Sequence, residues 1–138
     1  MIKSKIIHPE LLGILAKCGH KTKILIADAN YSFVTNSSPA AEIIYLNFAP
    51  GMLASTDVLA GVSEMINIES ASMMAWPAEF NNTIIEDYKP LLANDIVIDY
   101  LDRPDFYSAV KSNDTLLVIA TGEQRRFANI LLTVGVVF

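Results

Sequence analysis

Short apolar runs alternate with helical segments along the whole chain, and this alternation constrains the fold most. Residues 23–28, 96–101, 115–120 and 130–134 are apolar and rich in β-branched side chains, which is typical of buried strands. The other predicted strands are 42–46, 70–76 and 136–138, and the predicted helices are 8–18, 55–66, 80–93 and 104–111. Helices that separate buried strands are typical of an α/β domain, whose largely parallel sheet carries helices on both faces.

The ends of the predicted helices carry their own signals. Pro9 suits the first turn of a helix, because its missing N–H would be unpaired there in any case, and Gly19 is a natural stop just past the end. Ser55 is predicted to cap the second helix. Pro90 is predicted to kink or shorten the third helix, and Pro104 to open the fourth.

Composition limits the class of protein. The 138 residues are enough for one domain, residues 1–138, and 52% of them are hydrophobic. No apolar run approaches the ~18 residues that span a bilayer, so we expect no membrane partner, and we expect subunit interfaces of a homo-oligomer to cover the surplus apolar surface. The net charge of −5, with one basic cluster at Arg125-Arg126, argues against nucleic acid. The single cysteine excludes an intrachain disulfide and favours a reducing compartment, the cytoplasm.

His20 and Asp28 are the residues whose positions most favour acid/base chemistry. His20 follows the helix stop in a loop, and an unperturbed imidazole titrates near 6.5, so it can relay protons at neutral pH. Asp28 ends the first strand, at the sheet edge where α/β proteins usually bind ligands, and its carboxylate could fix the tautomer of His20. The alternative is purely structural, with His20 bonding the helix end and Asp28 capping a turn.

The remaining histidine and the cysteine are predicted to be structural. His8 precedes the first helix and Cys18 lies on its apolar face. The two histidines have neither metal-ligand spacing nor an acidic or thiol cluster beside them, and the chain has no GxSxG or phosphate-binding loop. We therefore expect no metal and no organic cofactor.

The carboxyl-terminal tail of the chain, residues 121–138, begins with an exposed polar turn. This turn lies between two apolar runs. Together with Gly19-His20, Ala27-Asp28 and Asp105-Phe106-Tyr107, this tail resembles the RbsD/FucU family of sugar mutarotases and pyranases over nearly the whole chain. The resemblance implies a cofactor-independent isomerase that interconverts ring forms of a monosaccharide. It also implies a ring-shaped homo-oligomer, a decamer, with sites where two subunits meet.

The resemblance also implies roles for individual residues. His20 matches the family's acid/base and Asp28 the residue that supports it, while Arg103 lies near the substrate and favours the fucose branch. Asn129 matches an amide that contacts the sugar. Phe127 stands where the family usually has Tyr, so the ring can stack on the sugar but cannot donate a hydrogen bond.

Three further expectations concern the loops. Tyr31, after the first strand, and Trp76, at the end of the predicted third strand, could hold the apolar face of a sugar. Trp76 could equally belong to the core or to an interface. Glu123 is expected to support the polar turn, and Arg125 and Arg126 are expected to be solvated surface residues.

These observations favour a mutarotase acting on L-fucose or a related sugar. Within the same chemistry, the chain could be a D-ribose pyranase that exchanges pyranose and furanose forms. A non-catalytic sugar-binding protein that has lost the phenol at position 127 is a third possibility, and an oligomerising α/β domain without a ligand is a fourth.

Overall fold

A six-stranded sheet forms the centre of the molecule, for which the computed structural model describes all 138 residues. Its strands are β1 Lys23–Ala27, β2 Glu42–Tyr45, β3 Ile68–Met74, β4 Ile98–Leu101, β5 Thr115–Ala120 and β6 Ile130–Val134. Their order across the sheet is β2-β5-β1-β6-β3-β4. β6 runs antiparallel to its neighbours β1 and β3, and every other pair is parallel. The prediction of a largely parallel sheet is confirmed.

Helices cover both faces of this sheet, as the sequence predicted. The helices are α1 Pro9–Leu15, α2 Ser55–Met65, α3 Ile84–Tyr88, which continues into a 3₁₀ turn at Lys89–Leu91, and α4 Arg103–Val110. Alternate strand residues point to opposite faces, so Ile24 and Ile26 pack in one cluster with α1, α2 and α3. Leu25 and Ala27 pack in a second cluster with Phe106 of α4. No helix is long and apolar enough to cross a membrane.

Several element boundaries differ from the predictions, three of them in the following ways. Residues 136–138 are not a strand, because β3 begins at Ile68, which pairs with Val134, and beyond that pair β6 has no partner. Ser55 is the first residue of α2 rather than its cap, and its hydroxyl donates instead to the carboxylate of Glu123. The third helix begins only at Ile84, although Pro90 does shorten it as predicted.

The strand directions bring one set of loops together. All five parallel strands end at the same edge of the sheet, and antiparallel β6 begins there. Asp28 follows β1, Met74 ends β3, and Arg103 comes two residues after β4. Asn129 immediately precedes β6, so it lies at this edge as well. Residues from distant parts of the sequence therefore meet at one end of the sheet.

Gly122 lies in this edge region at a point where another segment approaches the backbone too closely for a side chain. A Cβ on Gly122 would lie 2.2 Å from the carbonyl oxygen of Met52 and 2.5 Å from that of Ala49. We expect Gly122→Ala to lower the free energy of unfolding by about 2–3 kcal/mol, because backbone atoms must move to relieve the overlap. Denaturant titration at fixed protein concentration measures this change.

Gly13 provides the matched control for this substitution. It lies in α1, and a Cβ built on it meets no atom within 4 Å. Gly13→Ala should raise the free energy of unfolding by roughly 0.5–1 kcal/mol, since alanine is the better helix former. A Gly122→Ala protein as stable as the Gly13→Ala protein would contradict the close approach seen at Gly122.

Candidate active site

A cavity of about 380 Å³ opens at the edge of the sheet where the parallel strands end. Five of the predicted site residues line it, and so do four others. The lining residues are Asp28, Asn30, Tyr31, Met74, Arg103, Tyr107, Arg126, Phe127 and Asn129. The structure therefore brings together most of the site that the sequence predicted.

Asp28 is the one carboxylate among the lining residues, and its side chain is almost completely buried. Burial raises the pKa of Asp28 to about 6, and the nearby Glu123 carboxylate adds to the rise. Backbone N–H groups of Asn30, Ala128 and Tyr31 oppose this rise, and the N–H of Asn30 lies 3.0 Å from Oδ1. A carboxyl group with a pKa near neutrality can both accept and return a proton.

Asn129 is oriented by the backbone of Asp28. The Asp28 N–H donates to Oδ1 of Asn129 over 2.7 Å, in a buried contact between β1 and the start of β6. No hydrogen bond of the structure uses Nδ2 of Asn129, and the residue lines the cavity. Its amide nitrogen is thus free to donate a hydrogen bond into the cavity.

The polar turn before β6 is built on Glu123, as the sequence predicted. The buried carboxylate accepts hydrogen bonds from the Ser55 hydroxyl at 3.0 Å and from both the backbone N–H and Nε of Arg125, each at 3.0 Å. Burial by itself would raise the pKa of Glu123, but the hydrogen bonds from Arg125 and Ser55 outweigh it and hold the pKa at about 2. Arg125 is therefore part of this turn rather than a free surface residue, and it also pairs with Asp87.

Phe127 occupies an unusual backbone conformation within the cavity wall. Its φ is 57°, in the left-handed region that non-glycine residues rarely adopt. The ring lies 5.0 Å from that of Phe80, centroid to centroid, and the Arg126 guanidinium carbon lies within 5.3 Å of both ring centroids. Packing thus holds the turn in a conformation that sequence alone did not indicate.

Two tyrosines form another part of the cavity wall, and they differ in whether the hydroxyl group has a hydrogen-bond partner. Tyr31 is buried and its hydroxyl donates to the carbonyl of Asn36 at 2.7 Å, so it presents only its ring to the cavity. The Tyr107 ring packs 5.8 Å from that of Tyr31, and its hydroxyl has no hydrogen-bond partner in the structure. Of the adjacent α4 residues Phe106 and Tyr107, only Phe106 is fully buried.

Sequence analysis also missed Asn30, Met74 and Arg126 as lining residues. Asn30 and Met74 flank strand ends, so a search of all residues next to strand ends would have found them. Arg126 carried no such signal, because its approach to the cavity depends on the turn that Phe127 completes.

Trp76 lies outside the cavity, contrary to its predicted place in the sugar site. β3 ends at Met74, which packs in the cluster that contains α4, whereas Trp76 packs against the cluster on the opposite face of the sheet. There its ring meets that of Tyr100 edge-on at 5.1 Å, beside a different cavity. This position agrees with the alternative prediction that Trp76 is a core or interface residue.

His20 lies at the opposite end of β1 from Asp28, so the two side chains do not meet within one chain. Nε2 of His20 is 3.0 Å from a carboxylate oxygen of Glu69, and 48% of the side chain is exposed. The five residues of β1 separate the two positions by roughly 16 Å. Lys21, next to His20 in the sequence, also bonds Glu69, and the contacts with Lys21 and His20 lower the pKa of Glu69.

Of the other two residues assigned to structure, His8 precedes α1 as predicted, whereas Cys18 lies beyond the end of α1 at Leu15 and packs against the core from there. His8 caps α1, with Nδ1 accepting from the N–H of Leu11 at 3.2 Å. Cys18 is half-buried, and burial raises the pKa of its thiol. No group of three or more His, Cys, Asp or Glu side chains is arranged to hold a metal ion.

Known proteins share both this sequence pattern and this architecture. The RbsD / FucU transport protein family profile matches residues 1–137. The chain belongs to this family. A D-ribose pyranase 2 from Streptomyces griseus is 31% identical over 139 residues, which cover 100% of both chains. Bacillus subtilis RbsD complexed with D-ribose has a TM-score of 0.86 at 32% identity, again over 100% of both chains.

A second branch of the family has the same fold. The fucose mutarotase from Streptococcus pneumoniae, solved in complex with L-fucose, has a TM-score of 0.83 over 100% of both chains, at 24% identity. At that identity the likeness concerns the architecture alone. The single-domain α/β fold predicted from the strand and helix pattern, and the family predicted from the motifs, are both confirmed.

The raised pKa of Asp28 has a consequence for stability. Between its ordinary pKa of 3.8 and about 6, the folded chain holds this proton more tightly than the unfolded chain does. The contribution of Asp28 to the free energy of unfolding therefore falls as pH rises through this window and stays lower above it. Asp28→Asn cannot ionise, so its stability relative to wild type should increase between pH 4 and pH 7 by on the order of 2 kcal/mol.

Denaturant titrations at pH 4, 5, 6 and 7, at one protein concentration, measure this difference. Asp99→Asn, which removes an exposed carboxylate from β4, is the matched control. A difference between Asp28→Asn and wild type that does not change with pH would contradict the buried, proton-binding carboxyl group.

Proposed function

We propose that the protein is a cofactor-independent monosaccharide mutarotase, an isomerase that interconverts sugar anomers by acid/base-catalysed ring opening. The cavity around Asp28 carries this proposal, because it combines a carboxyl group of pKa about 6 with a free amide donor and aromatic rings. Membership of a family whose relatives include D-ribose pyranases supports it.

The reaction needs two proton transfers. A base takes the proton of the anomeric hydroxyl while an acid protonates the ring oxygen, and the open-chain aldehyde then closes again on either face. In this proposal Asp28 exchanges one proton with the sugar, Nδ2 of Asn129 binds a hydroxyl group, and the Arg103 guanidinium contacts the sugar from the cavity wall. The rings of Tyr31 and Phe127 pack against C–H groups of the sugar.

We propose that His20 acts in the site of a neighbouring subunit, within a ring-shaped homo-oligomer, a decamer. The exposed position of His20, far from the Asp28 of its own chain, supports this arrangement. Exposed apolar residues such as Val34, Phe48 and Val137 provide surface that an interface would cover. We place this assembly in the cytoplasm, in keeping with the single cysteine.

Two sugars are candidates within this chemistry. Arg103 and the Phe106-Tyr107 pair resemble the fucose branch, which favours L-fucose or a related sugar. The alternative, D-ribose pyranase activity, is supported by D-ribose pyranases that are 31% and 32% identical to the chain, although others, at 22% and 24%, are no more similar than the L-fucose-bound mutarotase at 24%. Saturation-transfer NMR separates the alternatives. Anomer exchange and pyranose–furanose exchange transfer saturation between different pairs of sugar signals, and binding without exchange transfers none between sugar forms.

A shared site can be tested by complementation between subunits. Alone, His20→Ala should lose ~10²–10⁴-fold in anomer exchange, because it removes an acid/base group. Asp28→Asn should also be slow. If each site combines His20 of one subunit with Asp28 of its neighbour, mixed oligomers of the two variants should regain about one quarter of the wild-type sites. Exchange is measured by NMR after the variants are coexpressed.

Two results would contradict the shared site. One is a mixed sample no more active than the separate variants. The other is a stable monomer at micromolar concentration in sedimentation velocity. Wild-type exchange of sugar anomers in such a monomer would leave the mutarotase proposal standing and remove only the contribution of His20.

We also propose that Tyr107 supplies the phenol that position 127 lacks, since its hydroxyl is unpartnered and the residue lines the cavity. Tyr107→Phe should lower the exchange rate about tenfold to a hundredfold with little change in sugar affinity, because the hydroxyl would act on charge that develops in the transition state. Tyr100→Phe, beside the other cavity, is the control. An unchanged exchange rate in Tyr107→Phe would show that the phenol has no part in the reaction.

A further inference from the structure

Two guanidinium groups line the cavity without a carboxylate partner. Arg103 and Arg126 both belong to its wall, and neither takes part in an ion pair or a hydrogen bond of the structure. Each offers five N–H donors. The neighbouring Arg125, by contrast, is paired with both Glu123 and Asp87. An excess of cationic donors is thus concentrated at one cavity of a chain whose net charge is −5.

Arg126 is held in place by contacts that leave its N–H groups free. Its guanidinium carbon lies 5.2 Å from the ring centroid of Phe80 and 5.3 Å from that of Phe127. Cation–π contacts of this kind fix the plane of the group without using its donors. The turn that carries Arg126 is itself fixed by the Glu123 carboxylate. The guanidinium is therefore oriented before a ligand binds, which lowers the entropic cost of binding.

Charge balance within the cavity indicates what kind of ligand these groups suit. Asp28 is the only carboxylate in the wall, and it is engaged by the backbone N–H of Asn30 in its own loop. A neutral monosaccharide would leave two guanidinium groups without a counter-charge. A planar or tetrahedral oxyanion is the natural partner of guanidinium groups, because it accepts paired N–H donors.

We propose that the ligand of this cavity is a monosaccharide that carries an anionic substituent, a carboxylate or a phosphate, and that Arg126 together with Arg103 binds that substituent. As a statement about substrate, this inference rests on the mutarotase function proposed above. Asp28 and Asn129 would then face the sugar ring. The cavity volume of about 380 Å³ is within the usual range for small-molecule sites.

Sugars that differ only at C6 provide a matched test. D-galactose, D-galacturonate and D-galactose 6-phosphate share one ring, and D-glucose, D-glucuronate and D-glucose 6-phosphate share another. Affinity is measured by calorimetry, and anomer exchange by saturation-transfer NMR with enzyme-free rates subtracted. We expect the anionic member of at least one series to bind about tenfold or more tightly than the neutral member. The uronate and phosphate arms show which oxyanion is preferred.

Ionic strength gives an independent measurement. Affinity for the anionic sugar should fall when salt rises from 50 to 500 mM, whereas affinity for the neutral sugar should stay nearly constant, because only the charged pair is screened. Equal salt dependence for the two sugars would count against direct recognition of the charge.

The substitutions Arg126→Gln and Arg126→Lys test the residue itself. Arg126→Gln should reduce the preference for the anionic over the neutral sugar by about tenfold, and Arg126→Lys should restore part of it because the charge returns without the paired donors. Lys17→Gln, which removes an exposed charge after α1 that is in no ion pair, should leave the preference unchanged.

The outcomes separate this inference from the proposed function. Equal affinity for neutral and anionic sugars, or a preference that survives Arg126→Gln, overturns the inference even if the wild-type protein exchanges neutral anomers. Selective, Arg126-dependent binding of an anionic sugar without anomer exchange supports the charged-ligand site and removes the mutarotase function. Failure to bind any sugar of either series overturns the inference.

Discussion

The buried carboxylate of Glu123 is the interaction on which the active-site edge of the molecule depends. It joins the start of α2, through Ser55, to the turn before β6, through Arg125. The backbone carbonyl of Glu123 also accepts a hydrogen bond from the N–H of Ala29, beside Asp28, at 2.8 Å. A buried carboxylate is costly unless its oxygens are hydrogen-bonded, and here they are. One residue thus joins three segments, of which the turn before β6 and the loop after β1 line the cavity.

Close packing around the same turn leaves it little freedom. Gly122 fits where a side chain would overlap the segment at residues 49–52. The buried hydroxyl of Tyr88 donates to the carbonyl of Ala128 at 2.6 Å, just before β6. Together these contacts offset the unfavourable φ of Phe127, because the surrounding structure determines the backbone there. The cavity wall is consequently rigid where Arg126, Phe127 and Asn129 line it.

The antiparallel strand β6 gives this fold its particular site. In a wholly parallel sheet, only residues that follow strands would meet at the ligand edge. Because β6 lies between β1 and β3 and runs in the opposite direction, residues that precede it lie beside residues at the ends of β1 and β3. Asn129 can therefore bond the backbone of Asp28, a hundred residues distant in sequence. Asp28 and Asn129 are thus positioned by the same pair of strands, β1 and β6.

The sequence by itself determined the architecture, the family and most of the cavity wall. Periodicity predicted the strands and helices because burial of apolar side chains leaves a regular pattern, and Asp28 was found because strand ends define the ligand edge. Arg103, Phe127 and Asn129 were found through the family resemblance. These features depend on local sequence, which is why they could be read from it.

Only the tertiary structure decided which side chains reach the cavity. Arg126 and Tyr107 line it, Trp76 faces the opposite side of the sheet, and His20 lies at the far end of β1. Direction and distance across a sheet follow from strand order and turn geometry, which involve contacts between residues far apart in the chain. No local pattern records those contacts, so the composition of the site depended on the fold.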